Sequence, residues 1–173
     1  MLVKQCYQLI VRRSRARKLG FHFERCSRFK MPSRLRIRGR EIPLYAPDGG
    51  GMRGAFMDVF LDDCYGLERL KPPISHILDI GANVGFFSAK ALIVFPSAVL
   101  HAYEPIPNLE EYLKAQATHM HFEYFMEAVG FEDARVSLRP HEDIVSTRCV
   151  VDNQGIIPQV TLRKAVERLG TEV

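Results

Sequence analysis

The feature that most constrains the fold is a short apolar run that leads into a glycine turn. Residues 77–80 are apolar except for Asp79; Gly81 and Gly85 follow, with three residues between them, and a helical pattern begins at Phe86. This order predicts a buried strand, a tight turn and a helix whose N-terminus faces the turn. Such a turn, followed by the N–H groups of a helix start, favours a nucleotide-like cofactor at the carboxyl end of the strand.

A second acid indicates which cofactor the turn binds. Residues 99–103 form another apolar strand, and Glu104 follows it, where a carboxylate can accept hydrogen bonds from the ribose hydroxyls of an adenosine. A dinucleotide site expects G-x-G-x-x-G, whereas this turn reads G-x-x-x-G with Asn83 inside it. S-adenosylmethionine carries no phosphate, so its site tolerates side chains in the turn, and Asp79 and Asn83 offer polar groups to its amino-acid moiety. The alternatives are a nicotinamide-dependent oxidoreductase and a strand–turn–helix that binds no ligand.

Three segments resemble the FkbM family of methyltransferases. They are residues 78–88 with D-I-G-A-N-V-G, residues 102–108 with E-P-I-P-N, and residues 127–130 with E-A-V-G. The resemblance implies a class I S-adenosylmethionine fold, which is a doubly wound, Rossmann-like α/β sheet. It also implies methyl transfer, most often to a hydroxyl of a small molecule or sugar. The cofactor-binding residues that it implies are Asp79, Gly81, Ala82, Asn83, Gly85, Glu104 and Ala128, with Glu104 on the ribose and Ala128 near the adenine.

The sequence departs from this family near its end. Members carry K-x-D-x-E-G on a later strand, and residues 160–169 resemble only the segment that precedes it. The 88 residues after Gly85 are too few for the remaining strands, since each βαβ unit takes about 30 residues or more. We therefore expect a truncated methyltransferase domain, and a non-catalytic, cofactor-binding remnant is the alternative. No catalytic residue is predicted, because nothing in the sequence orients the one candidate base, His141.

The length of 173 residues suggests one domain in three parts. They are a basic arm (1–34), a lead-in hairpin and helix (35–72) and a partial cofactor-binding domain (73–173). The four cysteines form no C-x-x-C pair, and His119 and His121 lack further ligands, so no metal site is predicted. Because the cysteines are scattered, we expect free, buried thiols in a reducing cytoplasm. No apolar run approaches the ~20 residues that span a bilayer.

Charged residues are distributed unevenly along the chain. Residues 1–40 contain 13 of the 24 basic residues and only one acid, Glu24, which gives them a net charge of +12 against −8 for the rest. A helix with Tyr7 and Ile10 on one face, followed by arginines, allows weak contact with an anionic membrane surface or nucleic acid through residues 1–40. The simpler interpretation, which the sequence favours, is a solvated helix that packs Tyr7 and Ile10 against the domain.

Further elements follow from periodicity and turn residues. The sequence predicts a hairpin over 35–44 and a helix over 55–70 that is broken near Gly66. It also predicts a helix over 109–118 capped by Asn108, and a strand over 121–126. An antiparallel pair is expected from residues 136–138 and 146–151.

Overall fold

The computed structural model describes residues 2–25, 28–49, 51–139, 148–152 and 154–170, with side chains from residue 6 onward. The helices in these ranges are α1 (Leu2–Lys18), α2 (Met52–Phe56), α3 (Phe86–Val94), α4 (Glu110–Met120) and α5 (Leu162–Arg168). The strands are β1 (Arg34–Ile37), β2 (Arg40–Pro43), β3 (His76–Ile80), β4 (Val99–Tyr103), β5 (Glu123–Phe125), β6 (Ala128–Gly130), β7 (Ala134–Arg139), β8 (Arg148–Val151) and β9 (Ile157–Thr161).

A parallel sheet carries the glycine turn. β4 lies between β3 and β5 and pairs with both in parallel, while α3 packs against β3 and β4, and α4 packs against α3 and β5. Parallel strands joined by helices form a Rossmann-like α/β fold, so the predicted fold class is confirmed. Ile80 is in register with Tyr103. Gly81 and Glu104 therefore leave the sheet side by side at the carboxyl edge.

A second sheet has the order β6–β9–β7–β8. β6 and β9 are parallel, whereas β7 pairs in antiparallel fashion with both β9 and β8. The antiparallel pair predicted from residues 136–138 and 146–151 is therefore present as β7 and β8. The connection between them, with Ser146 and the candidate base His141, lies outside the described residues.

The N-terminal segment shares a core with the cofactor-binding part. β1 and β2 form the predicted hairpin as a separate two-stranded sheet. Neighbouring rings of one aromatic cluster lie 5.1–6.0 Å apart between centroids. The cluster consists of Phe21, Phe29, Phe56, Phe60 and Phe86. This cluster joins residues before the hairpin to α3. The division of the chain into three parts stays a prediction.

Helix α1 faces the domain with a different side from the one predicted. The side chains of Tyr7 and Ile10 are 68% and 67% exposed, so the prediction that they pack against the domain is wrong. The buried side of α1 instead carries Ala16, which is fully buried, and Arg12, whose guanidinium donates from Nε to Asp62 Oδ1 at 2.8 Å. The small alanine allows close approach, and the Arg12–Asp62 ion pair sets the rotation of the helix.

The boundaries of two helices and one strand also differ from the prediction. α2 begins at Met52 and continues as a π-helical segment, Met57–Leu61; it is followed by Gly66 at φ +68° and a 3₁₀ turn, Leu67–Arg69. Asn108 does not cap α4, because it lies inside the 3₁₀ turn Pro107–Leu109 that leads into the helix. The predicted strand over 121–126 is shortened to β5.

The cysteines differ from the prediction in their burial. Cys6, Cys64 and Cys149 are unpaired, as expected, but all three are exposed rather than buried. They lie on α1, in the segment after the π-helix and on the edge strand β8, which are places where one side faces solvent. Cys26 lies outside the described residues.

Candidate functional site

The turn after β3 is held by the end of β4. Gly81 adopts φ +79° and Asn83 φ +54°, a backbone conformation that residues other than glycine rarely adopt. The N–H groups of Gly81 and Ala82 both donate to the Tyr103 carbonyl oxygen, at 2.9 and 3.0 Å. The turn is therefore fixed to the residue that precedes Glu104.

The Glu104 side chain forms a second contact that holds the turn after β3 in place. Glu104 is 3% exposed as a residue; Oε2 accepts the Asn83 N–H at 2.7 Å and Oε1 accepts the Ile106 N–H at 2.9 Å. Burial raises the pKa of Glu104, while the two N–H donors oppose that rise. Each carboxylate oxygen can accept more than one hydrogen bond, so both keep capacity for a ligand.

Asp79 is the second buried carboxylate at this edge. It is 7% exposed and accepts a hydrogen bond from the Ser88 hydroxyl at Oδ2, at 2.5 Å. Burial raises the pKa of Asp79 to about 6; the Ser88 hydrogen bond opposes this rise and the charge of Glu104 adds to it. Ser88 was not predicted as part of the site. The sequence feature that could have identified Ser88 is its polarity within the otherwise apolar first turn of α3.

The raised pKa of Asp79 predicts that the contribution of this group to the stability of the chain falls as pH rises from about 4 to about 6. In this window the folded chain binds a proton that the unfolded chain, with an ordinary carboxyl pKa of 3.8, has released. The contribution of Asp79 to the unfolding free energy falls by about 3 kcal/mol and stays low above pH 6. Asp79→Asn removes this contribution. Urea unfolding across the range checks the prediction, and identical pH profiles for the two chains would contradict it.

The turn and the two carboxylates surround a cavity of about 490 Å³. Of the seven predicted cofactor residues, the structure places five around this cavity. They are Asp79, Gly81, Ala82, Asn83 and Glu104. An adjoining cavity of about 390 Å³ contains Ala128 and shares Ile80, Gly81 and Pro105 with the first. Together these two volumes are large enough for a nucleoside-sized ligand with an extension.

Gly85 is placed differently from the other predicted residues. It starts α3 at φ +82°, and a Cβ there would lie 3.2 Å from Leu113 Cδ1 and 3.3 Å from Gln116 Cγ. It is absent from the residues that the structure places around either cavity. At Gly81, in contrast, a Cβ would meet nothing within 4 Å. Gly81 thus leaves open space for a ligand, whereas Gly85 lets α3 and α4 pack closely.

Residues before β3 contribute to the wall of the larger cavity. Val59 belongs to the π-helical segment, a type of structure that is frequent at functional sites. Tyr65 is 62% exposed, and its ring stands edge-on to Phe87 with 4.8 Å between centroids. Tyr65 therefore lies where it can cover a bound ligand.

Two further features are absent from the described part of the chain. No group of three or more His, Cys, Asp and Glu residues there is arranged to hold a metal ion. None of the helices described combines the length and apolar character needed to cross a lipid bilayer.

Comparisons with known proteins point to methyltransferases. The chain is 34% identical over 73 residues to the 31-O-demethyl-FK506 methyltransferase FkbM of Streptomyces tacrolimicus, an alignment that covers 40% of this chain and 27% of that protein. It is 38% identical over 52 residues to the methyltransferase sdnD of Sordaria araneosa, covering 30% and 20%. The chain thus spans less than a third of the length of either relative. No protein-family model matches it.

The likeness to a solved methyltransferase structure is limited. A precorrin-6y C5,15-methyltransferase from Geobacter metallireducens is 18% identical and overlaps 36% of this chain and 35% of its own, with a TM-score of 0.32. An overlap of this size carries no argument about the site.

Proposed function

We propose that this chain, a member of the S-adenosylmethionine-dependent methyltransferases related to FkbM, binds S-adenosylmethionine between the Gly81 turn and Glu104. The observation that carries the proposal is the buried Glu104 carboxylate, which follows β4 and accepts the Asn83 N–H of the turn after β3. This contact joins an acid suited to a ribose with a turn that leaves open space above Gly81.

The residues present fit the polar groups of this cofactor. Glu104 accepts hydrogen bonds from the ribose hydroxyls through the lone pairs that Asn83 and Ile106 leave open. Asp79, whose pKa of about 6 leaves it mostly ionised at neutral pH, pairs with the ammonium group. Ala128 lines the adjoining cavity, which takes the adenine. Gly85 acts indirectly, because it sets the start of α3 against α4.

The reaction that we propose is methylation of a hydroxyl on a small molecule or sugar. When bound, S-adenosylmethionine supplies an activated methyl group, and the residues of this chain hold that group in position for the acceptor. The FkbM resemblance supports an oxygen acceptor, as does the relative whose name specifies 31-O-demethyl-FK506.

A cytoplasmic location is also proposed, in keeping with the free thiols of Cys6, Cys64 and Cys149.

Calorimetric titration with S-adenosylhomocysteine and with NAD tests the binding step. We expect the first to bind and the second not to, because Asn83 occupies the turn where a pyrophosphate needs a glycine. Methylthioadenosine, which lacks the amino-acid moiety, is the matched control and is expected to bind about tenfold more weakly, since one decade is about 1.4 kcal/mol.

Each outcome of the titration is decisive. Equal binding of NAD would identify a dinucleotide site, and binding of neither ligand would remove the proposed cofactor. Equal binding of methylthioadenosine and S-adenosylhomocysteine would remove Asp79 from its proposed role. A separate transfer assay distinguishes an active enzyme from the non-catalytic remnant. If S-adenosylhomocysteine binds but labelled S-adenosylmethionine transfers no methyl group to any of a panel of sugars and small-molecule alcohols, the remnant is favoured.

A further inference from the structure

The exposed side of α1 carries apolar side chains near the start of the helix. Tyr7 and Ile10 are 68% and 67% exposed and are three residues apart, which places them on one side of a helix. Cys6, next to Tyr7, is exposed as well. None of these side chains packs into the core. They therefore form an exposed apolar patch near the start of the helix.

Basic side chains follow the apolar patch along the same helix. Arg13 and Arg17 come three and seven residues after Ile10, and both are exposed. Together with His22 and Phe23 they surround a small cavity of about 50 Å³. Two guanidinium groups and an imidazole around one cavity form a place suited to a phosphate oxygen.

The opposite side of α1 is fixed to the domain. Arg12 pairs with Asp62, Arg15 Nη1 donates to the Leu61 carbonyl oxygen at 2.7 Å, and Ala16 is fully buried. These contacts hold the apolar patch and the arginines outward, so the exposed side of α1 is presented without rearrangement. They also join α1 to the π-helical segment, which contributes Val59 to the cofactor cavity.

We propose that α1 lies on the surface of an anionic phospholipid bilayer. Tyr7 and Ile10 enter the boundary between headgroups and acyl chains, while Arg13 and Arg17 bind lipid phosphates. The net charge of +12 in residues 1–40, against −8 in the rest, attracts this end of the molecule and directs the acidic remainder away from the lipid. Duplex nucleic acid offers the same phosphates, but its bases are already stacked and it gives the aliphatic Ile10 no hydrocarbon layer to enter, so the bilayer is the better match.

Cosedimentation of the chain with phosphatidylcholine vesicles, with and without phosphatidylglycerol, tests the proposal. We expect binding only when phosphatidylglycerol is present, and weaker binding as salt is raised. Arg13→Gln/Arg17→Gln is expected to reduce binding at least tenfold, because each basic residue near an anionic surface contributes about fivefold. Tyr7→Ser/Ile10→Ser is expected to reduce it by a similar factor without changing the net charge.

The matched control is Arg139→Gln/Arg148→Gln, which removes two exposed positive charges from β7 and β8 instead of from α1. It is expected to bind these vesicles like the unaltered chain. The proposal fails if this control and the Arg13/Arg17 variant lose binding equally, or if pure phosphatidylcholine binds as well. It also fails if inorganic phosphate or duplex DNA binds through Arg13 and Arg17 while the vesicles do not. None of these outcomes depends on S-adenosylhomocysteine binding.

Discussion

Glu104→Ala is expected to weaken S-adenosylhomocysteine binding by about tenfold or more and to lower the unfolding free energy by about 4 kcal/mol. The binding loss follows from removal of the acceptor for the ribose hydroxyls. The stability loss follows because the Asn83 and Ile106 N–H groups, which now donate to a buried carboxylate, lose their acceptor. Titration calorimetry and urea unfolding measure the two effects separately.

Glu104→Gln is the control that separates binding from folding. Its amide keeps one carbonyl oxygen for one of the two N–H groups but turns donors toward the other, so we expect about half the stability loss. Its affinity for S-adenosylhomocysteine is still expected to fall, because the charge that strengthens the ribose hydrogen bonds is gone. An unchanged affinity in the folded Glu104→Gln chain would remove Glu104 from the site.

Gly85→Ala is expected to lower the unfolding free energy by about 3 kcal/mol or more. Placing an L side chain at φ +82° costs about 1–2 kcal/mol, and the added methyl group crowds Leu113 and Gln116 for about 1–3 kcal/mol further. Chemical denaturation gives the value. The matched control is Gly39→Ala, at φ +78° in the hairpin turn with nothing within 4 Å of the new methyl group. It is expected to show the conformational cost alone, and equal losses in the two variants would contradict a packing role for Gly85.

The local order of the cofactor region could be predicted from the sequence. An apolar strand, a turn with two glycines and an apolar helix together specify β3, the Gly81 turn and α3, because each element has its own residue pattern. The position of Glu104 followed from the same reasoning, since it comes directly after a second apolar run. Parallel pairing then brings the ends of β3 and β4 to one edge, which is a property of the fold class rather than of any single residue.

The structural features that could not be predicted from the sequence depend on contacts between distant segments. The rotation of α1 is set by Arg12 and Asp62, which are 50 residues apart, and no periodicity within the helix reveals that pairing. The different roles of Gly81 and Gly85 are equally hidden, because both require positive φ and only the position of α4 distinguishes them. The raised pKa of Asp79 likewise depends on its burial and not on the motif in which it stands.

The most direct test of the cofactor site is the dissociation constant of S-adenosylhomocysteine for Gly81→Ala, measured beside Gly39→Ala. Both glycines have nearly the same positive φ, +79° and +78°, and open space around them, so their stability losses are expected to match. Only the methyl group at position 81 enters the cavity, and we expect it to weaken binding about tenfold or more while Gly39→Ala binds like the unaltered chain. Equal affinities for the two folded variants would contradict the placement of the cofactor above the Gly81 turn.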